Sequence, residues 1–136
     1  GGAGSYPQAV AQFLSPEWLA DLDAAARSSR ATSPIPLVIE QVVDDEGTYV
    51  AYRVVLGTDG ARVSWAADQA LPPPTVTFRA DRSTAAAVHT GREAATAAIQ
   101  SGRLQVAGDV SVLLRCSEAL AALDSAFARV RDSTTT

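Results

Sequence analysis

Methionine, lysine and asparagine do not occur among the 136 residues, and Cys116 and His89 are each the sole residue of their type. Each absence excludes something. Without asparagine there is no N-glycosylation acceptor. A lone cysteine cannot form an intramolecular disulfide, and it fits a reducing, cytoplasmic setting. One cysteine and one histidine would need two carboxylates to complete a zinc site, and no spacing supports one, so neither metal nor cofactor is expected. Any Ser-His-Asp or Cys-His arrangement would have to use His89. There is no phosphate loop and no G-x-G-x-x-G, and Leu56-Gly57-Thr58-Asp59-Gly60 reads as a turn. No stretch approaches the roughly 18 apolar residues of a membrane span, and no charged-then-apolar leader opens the chain. The missing lysine has a duller cause. All 11 basic residues are Arg and 27 residues are Ala, a GC-rich coding bias into which no function is read.

What is present is enough for one folded domain: 47% of the residues are apolar and 19% charged. The formal net charge of −4 disfavours a nucleic-acid partner. Gly1-Gly2-Ala3-Gly4 reads as a cloning remnant, so residues 1–12 are taken as remnant and tail, 13–131 as a single domain, and 132–136 as a frayed C-terminal tail.

Ser15-Pro16-Glu17-Trp18 is a helix start, with Ser as N-cap and Pro in the first turn. The helix runs to about Arg27, with Trp18, Leu22 and Ala25 or Ala26 facing the core and Asp21 and Asp23 outside. The period then changes. Leu37–Val43 and Tyr49–Leu56 are β-branched and aromatic-rich, joined by Asp44-Asp45-Glu46-Gly47 as a hairpin turn. Alternation follows in three further runs, where Val63 and Trp65, Val76 and Phe78, and Leu104 and Val106 oppose Arg, Thr, Ser and Gln. A sheet with one apolar and one polar face must be covered on the first, which means antiparallel pairing with helices on one side. Asp81 can cap a helix through Thr90, Glu93–Ser101 forms a second, and Leu113, Cys116, Leu120, Leu123, Phe127 and Val130 make an amphipathic stripe with a break or fresh cap at Ser117-Glu118. The fold class is α+β, with a five-stranded, mainly antiparallel sheet and helices over one face.

Catalysis has little to work with. His89 lies late in its helix, where the dipole alone favours histidine, and Cys116 lies on the apolar stripe as a small hydrophobe. The acidic hairpin turn could be mistaken for a cation site, but turns select Asp and Gly for backbone reasons. Arg62, Arg79 and Arg103 could align as an anion patch, or simply solvate the outer face. Helices that offer mostly Ala to a sheet bearing Trp65, Phe78 and Val106 could leave volume unfilled, although cores are usually close-packed.

The order of motifs resembles the sterol-carrier-protein type lipid-binding family. The likeness is carried by Thr75-Val76-Thr77-Phe78-Arg79-Ala80-Asp81, then Thr84–Gly91, then the alanine-rich helix to Ser101. Its most specific stretch is Gly102-Arg103-Leu104-Gln105-Val106-Ala107-Gly108-Asp109. The opening Phe13-Leu14-Ser15-Pro16-Glu17-Trp18 is similar to bacterial, actinobacterial members. Thr75 stands where the family often has Asp, and Thr134-Thr135-Thr136 is not a peroxisomal tripeptide.

The resemblance implies an apolar tunnel between sheet and helices that binds a fatty acid, acyl-CoA or sterol-like lipid without chemistry. A sixteen-carbon chain leaving a bilayer for water loses roughly 10 kcal/mol, which a protein cavity must offset. On this reading the lining residues are Val63, Trp65, Val76, Phe78, Val88, Ile99, Val106, Leu113, Leu120 and Phe127. The partner is then an apolar small molecule, with at most transient membrane contact. Two other readings remain open: an accessory or interaction domain of the same fold that has lost its ligand, favoured by tight homodimerisation, and a small enzyme centred on His89.

Overall fold

The computed structural model describes residues 11–68 and 73–135, so the first ten residues and the end of the loop before Pro73 lie outside the described part. Helix α1 covers Pro16–Ser28. The Ser15 side chain accepts from the Trp18 N–H at 3.1 Å, Pro16 opens the first turn, and Trp18, Leu19, Leu22 and Ala26 form the buried stripe. Strands β2 (Leu37–Asp45) and β3 (Thr48–Gly57) are joined by Glu46-Gly47, both with positive φ. That two-residue turn matches the twist of its strands. Strand β4 (Gly60–Trp65) continues the meander. After β5 (Val76–Asp81) come α2 (Arg82–His89) and α3 (Ala95–Gln100), then β6 (Gln105–Gly108), α4 (Val110–Arg115) and α5 (Ser117–Asp132).

The main sheet has the order β4-β3-β2-β5-β6. Three of its four pairings are antiparallel and one, β2 with β5, is parallel. Helix α2 follows β5 directly, capped by the Asp81 carboxylate, which accepts from the Thr84 N–H at 2.7 Å. The register places Tyr52 opposite Trp65 and Gln41, and Phe78 opposite Gln41 and Val106. Side chains alternate along strands, so one face carries Leu37, Ile39, Gln41, Val43, Tyr52, Val54, Val63, Trp65, Val76, Phe78 and Val106. Helices α1, α2 and α5 cover this face, and Trp18 of α1 with Leu37, Leu56 and Val76 of the sheet are the most deeply buried large side chains between them. The expected α+β layering is therefore what the chain adopts.

Four local readings need correction. The last residues are not a loose tail: Thr134-Thr135 forms β7, a parallel partner of Ala11-Gln12 (β1), because two segments far apart in sequence are brought together across α1 and α5. Asp23 does not point idly to solvent. Its Oδ1 accepts from the Val63 N–H at 2.8 Å, satisfying a donor of the edge strand β4, while Oδ2 accepts from Arg27. The fifth strand of the main sheet, β6, runs over Gln105–Gly108 rather than from Arg103, and Leu104 belongs to a small cluster with Ala80 and Ala98. The outer sheet face is not uniformly wet either: Val38 and Val42 on it are buried, beside the Glu40–Arg53 ion pair of 2.8 Å.

Candidate functional site

Between the sheet and the helices lies a cavity of about 270 Å³. Its floor is the covered sheet face, where Gln41 and Val43 of β2, Tyr52 and Val54 of β3 and Phe78 and Ala80 of β5 adjoin one another. Leu22 of α1, Ala85 and Val88 of α2 and Phe127 of α5 form the apolar walls. Ala85 of α2 and Phe78 of β5 both pack against Ala80, Ala98 and Leu104 and both border the cavity, where alanine takes up little of the space.

Three polar groupings border the cavity. The first is the aromatic cluster around Trp18, whose ring meets Phe13, Tyr52 and His89 edge-on at 5.0, 5.2 and 5.1 Å. The indole N–H donates to His89 Nε2 at 3.0 Å, and Thr134 Oγ1 lies 3.2 Å from the same nitrogen. Burial, helped by the nearby Arg131 charge, holds the His89 pKa down at about 4, so the ring is neutral near pH 7. The second is Asp124 with Arg131 on α5, paired at 3.3 Å. The third is Gln41 beside Tyr52, where burial pushes the phenol well above its ordinary range.

Of the ten residues expected to line a tunnel, Phe78, Val88 and Phe127 border this cavity. Val63 and Val76 are buried in the core beneath it, and Leu113 and Leu120 pack, partly buried, against that same core. Val106 is half-buried on the edge strand β6, and Trp65 faces a second, more open depression with Tyr49, Val50 and Ala66. Ile99 lies on the outer side of α3 at 41% exposure, its neighbour Ala98 taking the buried position. The sequence reading passed over Leu22, Gln41, Tyr52, His89, Asp124 and Arg131 as cavity neighbours. Only the cross-strand register could have revealed the Gln41–Tyr52 pair.

The remaining candidates resolve simply. The three arginines form no patch: Arg62 is on β4, with two strands between it and Arg79 on β5, which holds Asp44 with a bidentate pair at 2.7 and 3.0 Å. Arg103 precedes β6 and pairs with Glu93. In the acidic turn, Asp44 and Asp45 face Arg79 and Arg82, and among the described residues no three His, Cys, Asp or Glu side chains gather as metal ligands do. Cys116 is buried at the α4–α5 junction, its sulfur 3.4 Å from Ser33 Oγ, as expected of a small core residue. The dipole account of His89 fails, because the buried ring is neutral and has little charge to offer a helix terminus. No helix among the described residues is long and apolar enough to cross a membrane.

Solved structures share this arrangement. A conserved hypothetical protein of Thermus thermophilus, described as a candidate sterol carrier protein, superposes with a TM-score of 0.66 at 17% identity, over 90% of this chain and 92% of its own. A crystal structure of sterol carrier protein 2 gives 0.61 at 17% identity, over 86% and 98% of the two chains. Palmitated sterol carrier protein 2-like 2 of Aedes aegypti gives 0.54 at 16% identity, over 80% and 95%. At such identities these likenesses establish the fold. A search of curated proteins finds no match. The sequence itself matches the SCP-2 sterol transfer family over residues 19–121, which takes in the cavity floor, α2 and the Gly102–Asp109 segment. Architecture and sequence thus agree, and the chain belongs to the SCP-2 sterol transfer family.

Proposed function

We propose that this protein binds an apolar, lipid-like molecule in the cavity between sheet and helices and carries it without chemical change, within the cytoplasm of a bacterium. The observation that carries the reading is the cavity itself: about 270 Å³ of space walled by Leu22, Val43, Val54, Phe78, Val88 and Phe127 in a domain of only 136 residues. Close packing is the rule for protein interiors, so retained apolar space is most simply room for a ligand. Family membership and a palmitate-bearing relative of the same fold support the same reading. The single buried thiol is compatible with a reducing compartment.

Phe78, Val88 and Phe127 would contact the ligand directly, with Val63, Val76, Leu113 and Leu120 shaping the wall behind them. Mechanism then reduces to sequestration: each methylene withdrawn from water contributes about 0.8 kcal/mol, and no bond is made or broken. Delivery needs brief contact with a membrane, and the exposed apolar side chains of Leu114 and Val110 on α4 are proposed as the point of contact.

Native mass spectrometry of the purified protein, with displacement of a fluorescent fatty acid, tests the reading. Co-purifying lipid or saturable displacement is the expected result. A protein that carries no lipid and binds no apolar probe overturns it.

A further inference from the structure

The floor of the cavity has a polar interruption that a purely apolar container would not need. Gln41 lies on the central strand β2, among Leu37, Ile39 and Val43 on the covered face, directly opposite Tyr52 of β3. Both side chains border the cavity. Neither the Gln41 amide nor the Tyr52 hydroxyl makes a hydrogen bond to any described residue. Yet no sealed side-chain nitrogen or oxygen among the described residues lacks a partner. The two polar ends therefore open onto the cavity rather than being shut into packed protein. Both ends are thus available to hydrogen-bond a molecule that occupies the cavity.

The charges around this pair say what kind of partner. Along the strands, Glu40 and Arg53 project from the opposite sheet face and neutralise each other at 2.8 Å, as Asp44 and Arg79 do at 2.7 Å. On the cavity wall, Arg131 is matched by Asp124, and His89 Nε2 is occupied by the Trp18 N–H. An ionised headgroup entering here would lose its water and meet no uncompensated cation. A neutral oxygen group is well matched, because an amide and a phenol together offer both donors and acceptors. Size narrows the choice further. An engineered cavity of about 150 Å³ takes one benzene, so 270 Å³ suits roughly a dozen non-hydrogen atoms.

We propose that Gln41 and Tyr52 form a polar seat in the cavity floor, and that this seat selects an uncharged, oxygen-bearing amphiphile of about a dozen non-hydrogen atoms over an ionised fatty acid. The proposal rests on the binding reading above and specifies its ligand class.

Isothermal titration near neutral pH with 1-decanol, decanoate and n-butylbenzene tests it, using the full chain and the Gln41→Leu and Tyr52→Phe variants. Decanol is expected to bind about tenfold more tightly than decanoate. Each variant is expected to lose about fivefold in decanol affinity while keeping butylbenzene within about twofold. Tyr52→Phe removes a single oxygen atom, so it serves even where Gln41→Leu disturbs the sheet. Equal affinity for decanol and decanoate, or variants that leave the decanol-to-butylbenzene ratio unchanged, would overturn the selective seat while leaving lipid binding standing. A wild-type protein that takes none of the three probes overturns the binding reading itself.

Discussion

Trp18 and His89 lie 71 residues apart in sequence, and the indole N–H of one donates to Nε2 of the other at 3.0 Å. An indole nitrogen can only donate, so Nε2 must present its lone pair and the imidazole proton resides on Nδ1. Charging the ring would set two N–H groups against each other inside an aromatic cluster that also includes Phe13 and Tyr52. This bond joins α1 to the end of α2, and the β7 residue Thr134 touches the same nitrogen. His89 thereby ties together the first helix, the cavity wall and β7.

Acid should weaken the fold through this residue before it reaches the carboxylates. The His89 pKa falls from the ordinary 6.5 to about 4 on folding. Between those values the unfolded chain binds a proton that the native state refuses, so stability drops as pH is lowered through that window and is unaffected above it. The loss is at most about 3 kcal/mol. In His89→Gln, whose amide oxygen can accept from Trp18, the urea midpoint should stay flat over the same range. Its decline would begin only at lower pH, where Asp44, Asp81 and Asp109, each held below the usual carboxylate range by hydrogen bonds, take up protons. Parallel pH profiles for the two proteins would refute the assignment.

Two glycines of the Gly102–Asp109 segment should respond to alanine quite differently. At Gly108, φ is +103° and an added Cβ would lie 2.3 Å from the Thr75 carbonyl oxygen and 3.0 Å from Val76 Cα. That carbonyl also accepts from the Asp109 N–H at 2.9 Å, so it cannot move aside without breaking the junction of β5 and β6. Gly108→Ala is expected to cost about 3 kcal/mol or more. At Gly102, φ is +80° but nothing lies within 4 Å of the new atom. Gly102→Ala should cost only about 1 kcal/mol, the left-handed backbone alone. Urea unfolding of the two variants separates these cases.

These examples also show what sequence could and could not convey. Alternation placed Val63, Trp65, Val76, Phe78 and Val106 on one face, and the register confirms that they share it. Ser15 and Asp81 announced their helices because capping is local chemistry. The cavity was less legible, because its lining depends on which residues of distant strands stand opposite each other. Gln41 looks like an interruption in an apolar run until the ladder sets it against Tyr52 and Phe78. Ile99 is the converse case. A large aliphatic residue in a short helix invites burial, but in the six-residue α3 the inward position falls on Ala98. Strands β1 and β7, two residues each, carry no periodicity at all, and only the closure of α1 against α5 brings them together.

Leu114 offers a test of how a ligand would leave. It is 74% exposed on α4 and has no visible role in the core. Leu114→Asp should alter stability by no more than about 0.5 kcal/mol and leave the affinity for a soluble probe unchanged. Transfer of a fluorescent lipid between donor and acceptor vesicles should slow severalfold, because an apolar contact with the bilayer is replaced by a charge. An unchanged transfer rate would remove α4 from the delivery step.

The decisive variant for the cavity is Ala85→Leu. Ala85 on α2 borders the empty space, as Phe78 does, so a leucine there would extend into the volume a ligand needs. The new side chain should find room there, and stability should hold or rise by about 1 kcal/mol, as cavity-filling substitutions commonly do. Ligand affinity should then fall about tenfold or more, because lost cavity volume and excluded ligand are the same atoms. If the region were close-packed instead, the same leucine would be overpacked and cost about 1–3 kcal/mol. Ile99→Ala, on the exposed side of α3, should change neither quantity appreciably. The pair of measurements distinguishes alanine that leaves room for a ligand from alanine that merely reflects a GC-rich coding bias, a distinction composition alone could not make.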